Sequence, residues 1–207
     1  MAKIEITLAS FIKYATTETG ESKLKCVRSI KEQLSKDYFP GGDFWKELRE
    51  SIVKYHKKEI SEDALRMLPQ GVTERKRIGY EQAISFYLKF IKNRHCEYFD
   101  VGKSFWLLEN KLLVKTTPTL GLKIDGQNYL VRIDARKDSD RKDKRKSYSS
   151  LAMMRLSESD YVVPENSKFA ILNPVRETFY VEPPLTEDLK NSLLVDATSF
   201  VMTWDFV

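Results

Sequence analysis

Three residues at alternate positions, Arg132, Asp134 and Arg136, are the candidates for chemistry in this chain. On a β-strand, alternate side chains share one face, so the carboxylate and the two guanidinium groups would meet the same partner. A carboxylate can hold a hard cation such as Mg²⁺ through oxygen, and a neighbouring cation can offset charge that develops on a phosphoryl group. Asp134 is therefore the candidate metal ligand and, with Arg136, the candidate catalytic pair. Arg136 cannot release a proton, so its part would be that of an electrostatic clamp and not of a general base. The structural alternative is a solvated strand face with cross-strand ion pairs, each worth well under about 1 kcal/mol.

Residues 136–146 hold seven basic and three acidic side chains, and so supply four of the five net positive charges of the chain. Arg141, Lys142, Lys144, Arg145 and Lys146 stand directly before an expected helix start at Ser147. There, phosphate oxygens could meet side-chain charge and unpaired backbone N–H groups together. With Arg132 they are the candidate nucleic-acid-binding residues, for DNA or RNA. Four to six phosphate contacts would give a slope of log affinity against log salt of about −4 to −5 on duplex. No apolar side chain interrupts the run, so it reads as a solvated, mobile loop in which Asp138, Asp140 and Asp143 dilute the potential. A purely solubilising loop is the competing account.

Other chemistries find no support. The eight glycines form neither G-x-G-x-x-G nor G-x-x-x-x-G-K-[ST], and no G-x-S-x-G elbow occurs. The two cysteines, Cys26 and Cys96, and the two histidines, His56 and His95, lack the paired spacings of a zinc site. His95-Cys96 reads as the frayed end of a helix. Two cysteines far apart fit a reducing compartment, and the sequence contains neither a signal-peptide core nor a run of about 20 apolar residues, so a cytoplasmic protein without membrane contact is expected.

The positioning elements can be read from periodicity and caps. The chain has 207 residues, 42% of them apolar and 31% charged, with 24 aromatic residues, enough to build a packed core. Helices are expected near Ser10–Thr17, over Glu21–Lys36 (stripe Leu24, Val27, Ile30, Leu34), from Asp43 past the break at Pro40-Gly41-Gly42, from Ser61 to Pro69-Gln70-Gly71, and from Thr73 to about Arg94. Past residue 97 the period becomes two. Phe105–Leu108 and Lys111–Val114 flank a turn at Glu109-Asn110, and Leu120–Ile124 and Tyr129–Ile133 flank the stronger turn signal Asp125-Gly126. A helix from Ser147, paired strands at Phe169–Leu172 and Phe179–Val181, and a last helix capped by Thr186 complete an α+β fold. It would place a helical region, residues 1–96, against a sheet region, residues 97–207, as one continuous unit.

The order helix, strand, strand, strand, helix, strand over roughly Tyr80–Val181 resembles the core of the PD-(D/E)XK nuclease superfamily. That resemblance implies an Asp on the second strand and a carboxylate followed two residues later by Lys on the third, together holding Mg²⁺. Asp134-Ala135-Arg136 stands at the third-strand position, with Arg in place of Lys. The second strand departs from the pattern, since Lys111–Ile124 contains no Asp or Glu. Glu81 or Glu109 would have to supply the missing group. No cofactor is otherwise implied. Leu120-Gly121-Leu122-Lys123-Ile124-Asp125-Gly126, with the Lys/Arg run and the closing Ser199–Asp205 segment, resembles a family of uncharacterised bacterial proteins, which implies a shared fold but no activity. Two expectations follow: a nucleic-acid-binding protein with a degenerate nuclease-like site, or an interaction module whose helical half, with Trp45 and Tyr55, docks a protein partner or a second copy.

Overall fold

The structure, a computed structural model, describes residues 3–18, 20–35, 43–137 and 140–207. The expected break at Pro40-Gly41-Gly42 lies outside these residues, as does Asp138. In chain order the elements are β1 (Ile4–Thr7), α1 (Leu8–Ala15), α2 (Glu21–Ser35), α3 (Lys46–His56), α4 (Glu62–Gly71), α5 (Glu74–Lys92), β2 (Cys96–Phe99), β3 (Ser104–Leu108), β4 (Leu112–Lys115), β5 (Leu120–Ile124), β6 (Gln127–Ile133), α6 (Asp140–Arg155), β7 (Glu158–Ser159), β8 (Lys168–Asn173), β9 (Thr178–Val181) and α7 (Glu187–Phe206). The fold is α+β.

Three hydroxyl caps act as their chemistry requires, while Thr73, before α5, makes no side-chain capping hydrogen bond. Hydroxyl oxygens of Thr7, Ser61 and Thr186 accept the backbone N–H of Ser10, Ala64 and Leu189 at 3.1, 3.1 and 3.2 Å, starting α1, α4 and α7. Asp43 lies before α3, where its Oδ1 accepts the Trp45 N–H at 3.2 Å. α4 continues through Pro69, which is buried, and ends at Gly71. In α2, Val27 and Ile30 are buried as expected, but Leu34 at the far end of the stripe is 53% exposed.

The strands form two mixed sheets, where the sequence predicts a single antiparallel or mixed sheet. The first has the order β1-β4-β3-β7, with β1 parallel to β4. The second has the order β2-β5-β6-β8-β9. Within it β5 runs antiparallel to β2 and β6, β8 runs parallel to β6 after the α6 crossover, and β9 returns antiparallel. Asp125 (φ 50°) and Gly126 (φ 87°) both take the left-handed region that a two-residue hairpin turn demands. Cys96 does not belong to a frayed helix. It opens β2 opposite Ile124, and the Asp125 carboxylate accepts the His95 N–H at 2.9 Å, pinning the start of that strand.

Two apolar cores result, and each draws residues from both sides of residue 96. One joins β1, α1 and α2 to β4, α6 and α7 through Ile6, Phe11, Tyr14, Val27, Leu112 and Phe200. The other joins α3, α4 and α5 to the five-stranded sheet through Leu48, Ile52, Tyr80, Tyr87, Leu122 and Ile133. Alternation along β6 sends Leu130 into the first core and Val131 into the second, so that sheet is covered on both faces.

Candidate functional site

β6 delivers the three alternate residues to the end of the sheet where β5 begins. Its ladder is carried one residue further by the Asp134 N–H, which donates to Leu172 O at 3.0 Å, while Ile133 and Ala135 point into the interior and Arg132, Asp134 and Arg136 stay half-buried. All three line a cleft of about 1160 Å³ walled by α3 and the segment Thr117–Thr119, and also a smaller cleft of about 420 Å³ reached past α1. The expected shared face is therefore present.

Their partners differ from those expected. Asp134 forms its ion pair with Arg136 on its own strand, Nε to Oδ1 at 3.1 Å, and not across strands. Arg136 also donates through Nη2 to Ser147 Oγ at 3.1 Å and lies 3.8 Å from Asp143 Oδ1. Asp143 is fully buried and accepts from Asn173 Nδ2 at 3.2 Å and Thr178 Oγ1 at 3.4 Å, and the same Asn173 amide donates to Arg136 O at 3.0 Å. Arg136 thus ties β6 to α6 and is committed to two carboxylates. Arg132 has one long hydrogen bond, Nη1 to Thr117 O at 3.4 Å. Burial pulls its guanidinium below the ordinary arginine range, and Asp134 and Asp43 oppose that shift.

From Asp140 on, the basic run is helical and not a loop. It is the first half of α6, because Asp143, Ser147 and Ser150 form a buried polar stripe at helical spacing. This arrangement divides the expected nucleic-acid residues. Arg141, Lys142, Lys144 and Arg145 point outward as an exposed basic face, with the Lys144 ammonium 5.5 Å from the Tyr148 ring centre, while Lys146 turns inward to line the smaller cleft. Sequence reasoning missed the opposite wall of the larger cleft, where α3 adds Lys46, Arg49 and Lys54 and the preceding turn adds Asp43, ion-paired to Arg49. Their spacing of three, six and eleven residues from Asp43 gave no sign that these groups face a strand some 80 residues later.

The donor set does not fit a divalent cation. Thr119 stands where β5 begins, and its hydroxyl accepts the Ile133 N–H at 3.0 Å. Asp134 is bound to a guanidinium, Asp143 is enclosed, and Asp43 serves Arg49. Neither Glu81 nor Glu109 reaches the clefts: Glu81 is exposed on α5, and Glu109 pairs with Lys111 at 2.8 Å on the β3–β4 hairpin of the other sheet. Among the described residues, no group of three or more His, Cys, Asp and Glu side chains is placed to hold a metal.

A separate cleft of about 1090 Å³ contains His56, Cys96 and Tyr55. The thiol of Cys96 is pushed up by burial, the reverse of what an activated nucleophile needs. His56 Nε2 bonds the Tyr87 hydroxyl and is held uncharged by burial. No helix among the described residues is long and apolar enough to cross a membrane. No protein-family model matches this chain, and no curated protein shows significant similarity to it.

Proposed function

We propose that this chain binds nucleic acid on a PD-(D/E)XK-like frame whose metal site is incomplete. The observation that carries the reading is the succession α5-β2-β5-β6-α6-β8, with a cleft rich in Arg and Lys at the end of the third strand of that series. The β3–β4 hairpin is an insertion between the first and second of those strands. The exposed basic face of α6 supports the reading independently, because outward charges on one helix can follow a phosphate backbone. Catalysis by Asp134 and Arg136 with Mg²⁺ is not part of this function, since their charges neutralise each other and the second carboxylate beside Arg136, Asp143, is enclosed by Asn173 and Thr178. A cytoplasmic setting, in keeping with two unpaired cysteines, belongs to the same reading.

The test is retention of labelled single- and double-stranded DNA and RNA across a salt series, with and without Mg²⁺. Binding with a log–log slope of about −4 to −5 on duplex is expected, shallower by about 0.9 for each contact removed in K142Q, K144Q and R145Q. Absence of binding at low salt would overturn the reading, and cleavage abolished by Asp134→Ala would overturn the incomplete metal site.

A protein partner at Trp45 would meet only part of its ring, which is half-buried and stacked on Tyr80 with ring centres 5.4 Å apart. The protein-partner alternative rests on α7, where Leu194, Val195, Met202 and Phe206 are exposed by 46–81%. Self-association by sedimentation, with no nucleic acid retained, is the outcome that favours it.

A further inference from the structure

Around the larger cleft, one guanidinium makes no ion pair among the described residues. Arg49 is ion-paired to Asp43, and Arg136 is ion-paired to Asp134 with Asp143 beside it. Arg132 lies among these groups on β6, half-buried, and among the described residues it makes no ion pair and only the 3.4 Å hydrogen bond to Thr117 O. A guanidinium has five N–H donors in a planar fork, so most of its donors are unspent. Holding such a charge away from bulk water is costly unless an anion meets it. Both clefts open onto Arg132, so an anion can reach it from either cleft.

We infer that Arg132 is the anchor of a phosphate-binding site that takes a single phosphoryl group in its guanidinium fork. Lys54 from α3 and Lys137, four residues past β6, line the approaches from the two clefts. Phosphate suits this place better than a planar carboxylate partner from the chain. It brings acceptor oxygens on several sides, enough to take the fork while leaving others toward the lysines. Asp134 and Asp43, each already paired, set a limit on the charge admitted, which favours one phosphoryl group over a polyphosphate chain. The inference rests on the nucleic-acid reading for its source, a backbone phosphodiester, and a small phosphate monoester shares the same chemistry.

The experiment measures thermal unfolding of the whole chain in chloride, inorganic phosphate and a 5′-mononucleotide at equal ionic strength, beside oligonucleotide binding, for wild type, Arg132→Gln and Arg132→Lys. Phosphate is expected to raise the unfolding temperature of wild type above its value in chloride. In R132Q that rise should vanish, while the temperature in chloride is equal to or above wild type, because a half-buried charge without an ion pair has been removed. A merely structural arginine would give the opposite result in chloride. R132K keeps the charge without the fork and should retain a reduced rise. Oligonucleotide affinity should fall about tenfold in R132Q, the scale of charged hydrogen bonds, with a duplex salt slope shallower by about 0.9.

An equal phosphate effect in wild type and R132Q overturns the site, as does no phosphate effect in wild type. Failure of R132Q to fold assigns Arg132 to the scaffold and overturns it as well. An Arg132-dependent effect of phosphate and mononucleotide without oligonucleotide binding upholds the site while the nucleic-acid reading fails. Oligonucleotide binding that is blind to Arg132 does the reverse.

Discussion

Burial holds the His56 imidazole uncharged, its pKa pushed down to about 4, while the Tyr87 phenol that bonds it is driven well above 10 by its own burial. The folded chain therefore protonates His56 only near pH 4, whereas the unfolded chain does so near 6.5. The unfolded state binds the extra proton between these values. This contribution to stability is thus complete above pH 6.5 and is lost as pH falls toward 4, by about 3 kcal/mol at 1.36 kcal/mol per pH unit. Urea midpoints at pH 7, 5.5 and 4 check it: wild type should weaken steadily, and His56→Gln should remove that share of the loss. A variant with an undiminished pH dependence would place the acid sensitivity elsewhere. At this same scale, the shared face of Arg132, Asp134 and Arg136 was legible because alternation on a strand is local geometry. Asp143 was not. A carboxylate inside a basic run looks solvated until the fold brings Asn173 and Thr178 to it from 30 and 35 residues away.

β5 must cross the edge strand β2 at Gly121, which pairs with Phe99, and a side chain there would fall within the Phe99 ring. Glycine is required for that close approach. Gly121→Ala is expected to push the ring aside and destabilise the chain by about 1–3 kcal/mol, the cost of overpacking. Gly126→Asn, which tolerates positive φ, should cost far less, and denaturant titration of the pair checks the ranking. An Ala variant as stable as the Asn variant would mean that Phe99 has room to yield. Elements with local signals were legible from sequence: the caps at Ser61 and Thr186, and the Asp125-Gly126 turn. β1 and β2 were not, since each is four residues long and is defined by a partner elsewhere, Ile4 pairing with Leu112 and Cys96 with Ile124. The basic half of α6 escaped notice for a different reason: its buried stripe is Asp143, Ser147 and Ser150, which a search for apolar periodicity passes over.

Across the molecule, β6 and β8 present opposite faces to the two cores, so neither core can open without stripping the other's sheet. Unfolding is expected as one cooperative transition. Trp45 reports on the second core and Trp106 and Trp204 on the first, so Trp45→Phe and the double variant Trp106→Phe/Trp204→Phe should show the same fluorescence midpoint relative to far-UV dichroism. Separate midpoints would divide the chain into two independent units. The α+β class was legible because helical and alternating stretches separate along the chain, yet the division at residue 96 was not a boundary in space. That interleaving constrains how the chain is made. The Tyr14 hydroxyl meets Ser199 at 2.8 Å, Lys23 meets Asp196 at 3.2 Å, and β1 needs β4 beside it. A ribosome releases α1 and α2 well before α7 exists to cover them, so Phe11, Val27 and Ile30 must wait with their apolar surface open until α7 has emerged. Chaperone traffic on the nascent chain should concentrate on those first helices, and completion of this fold waits for α7.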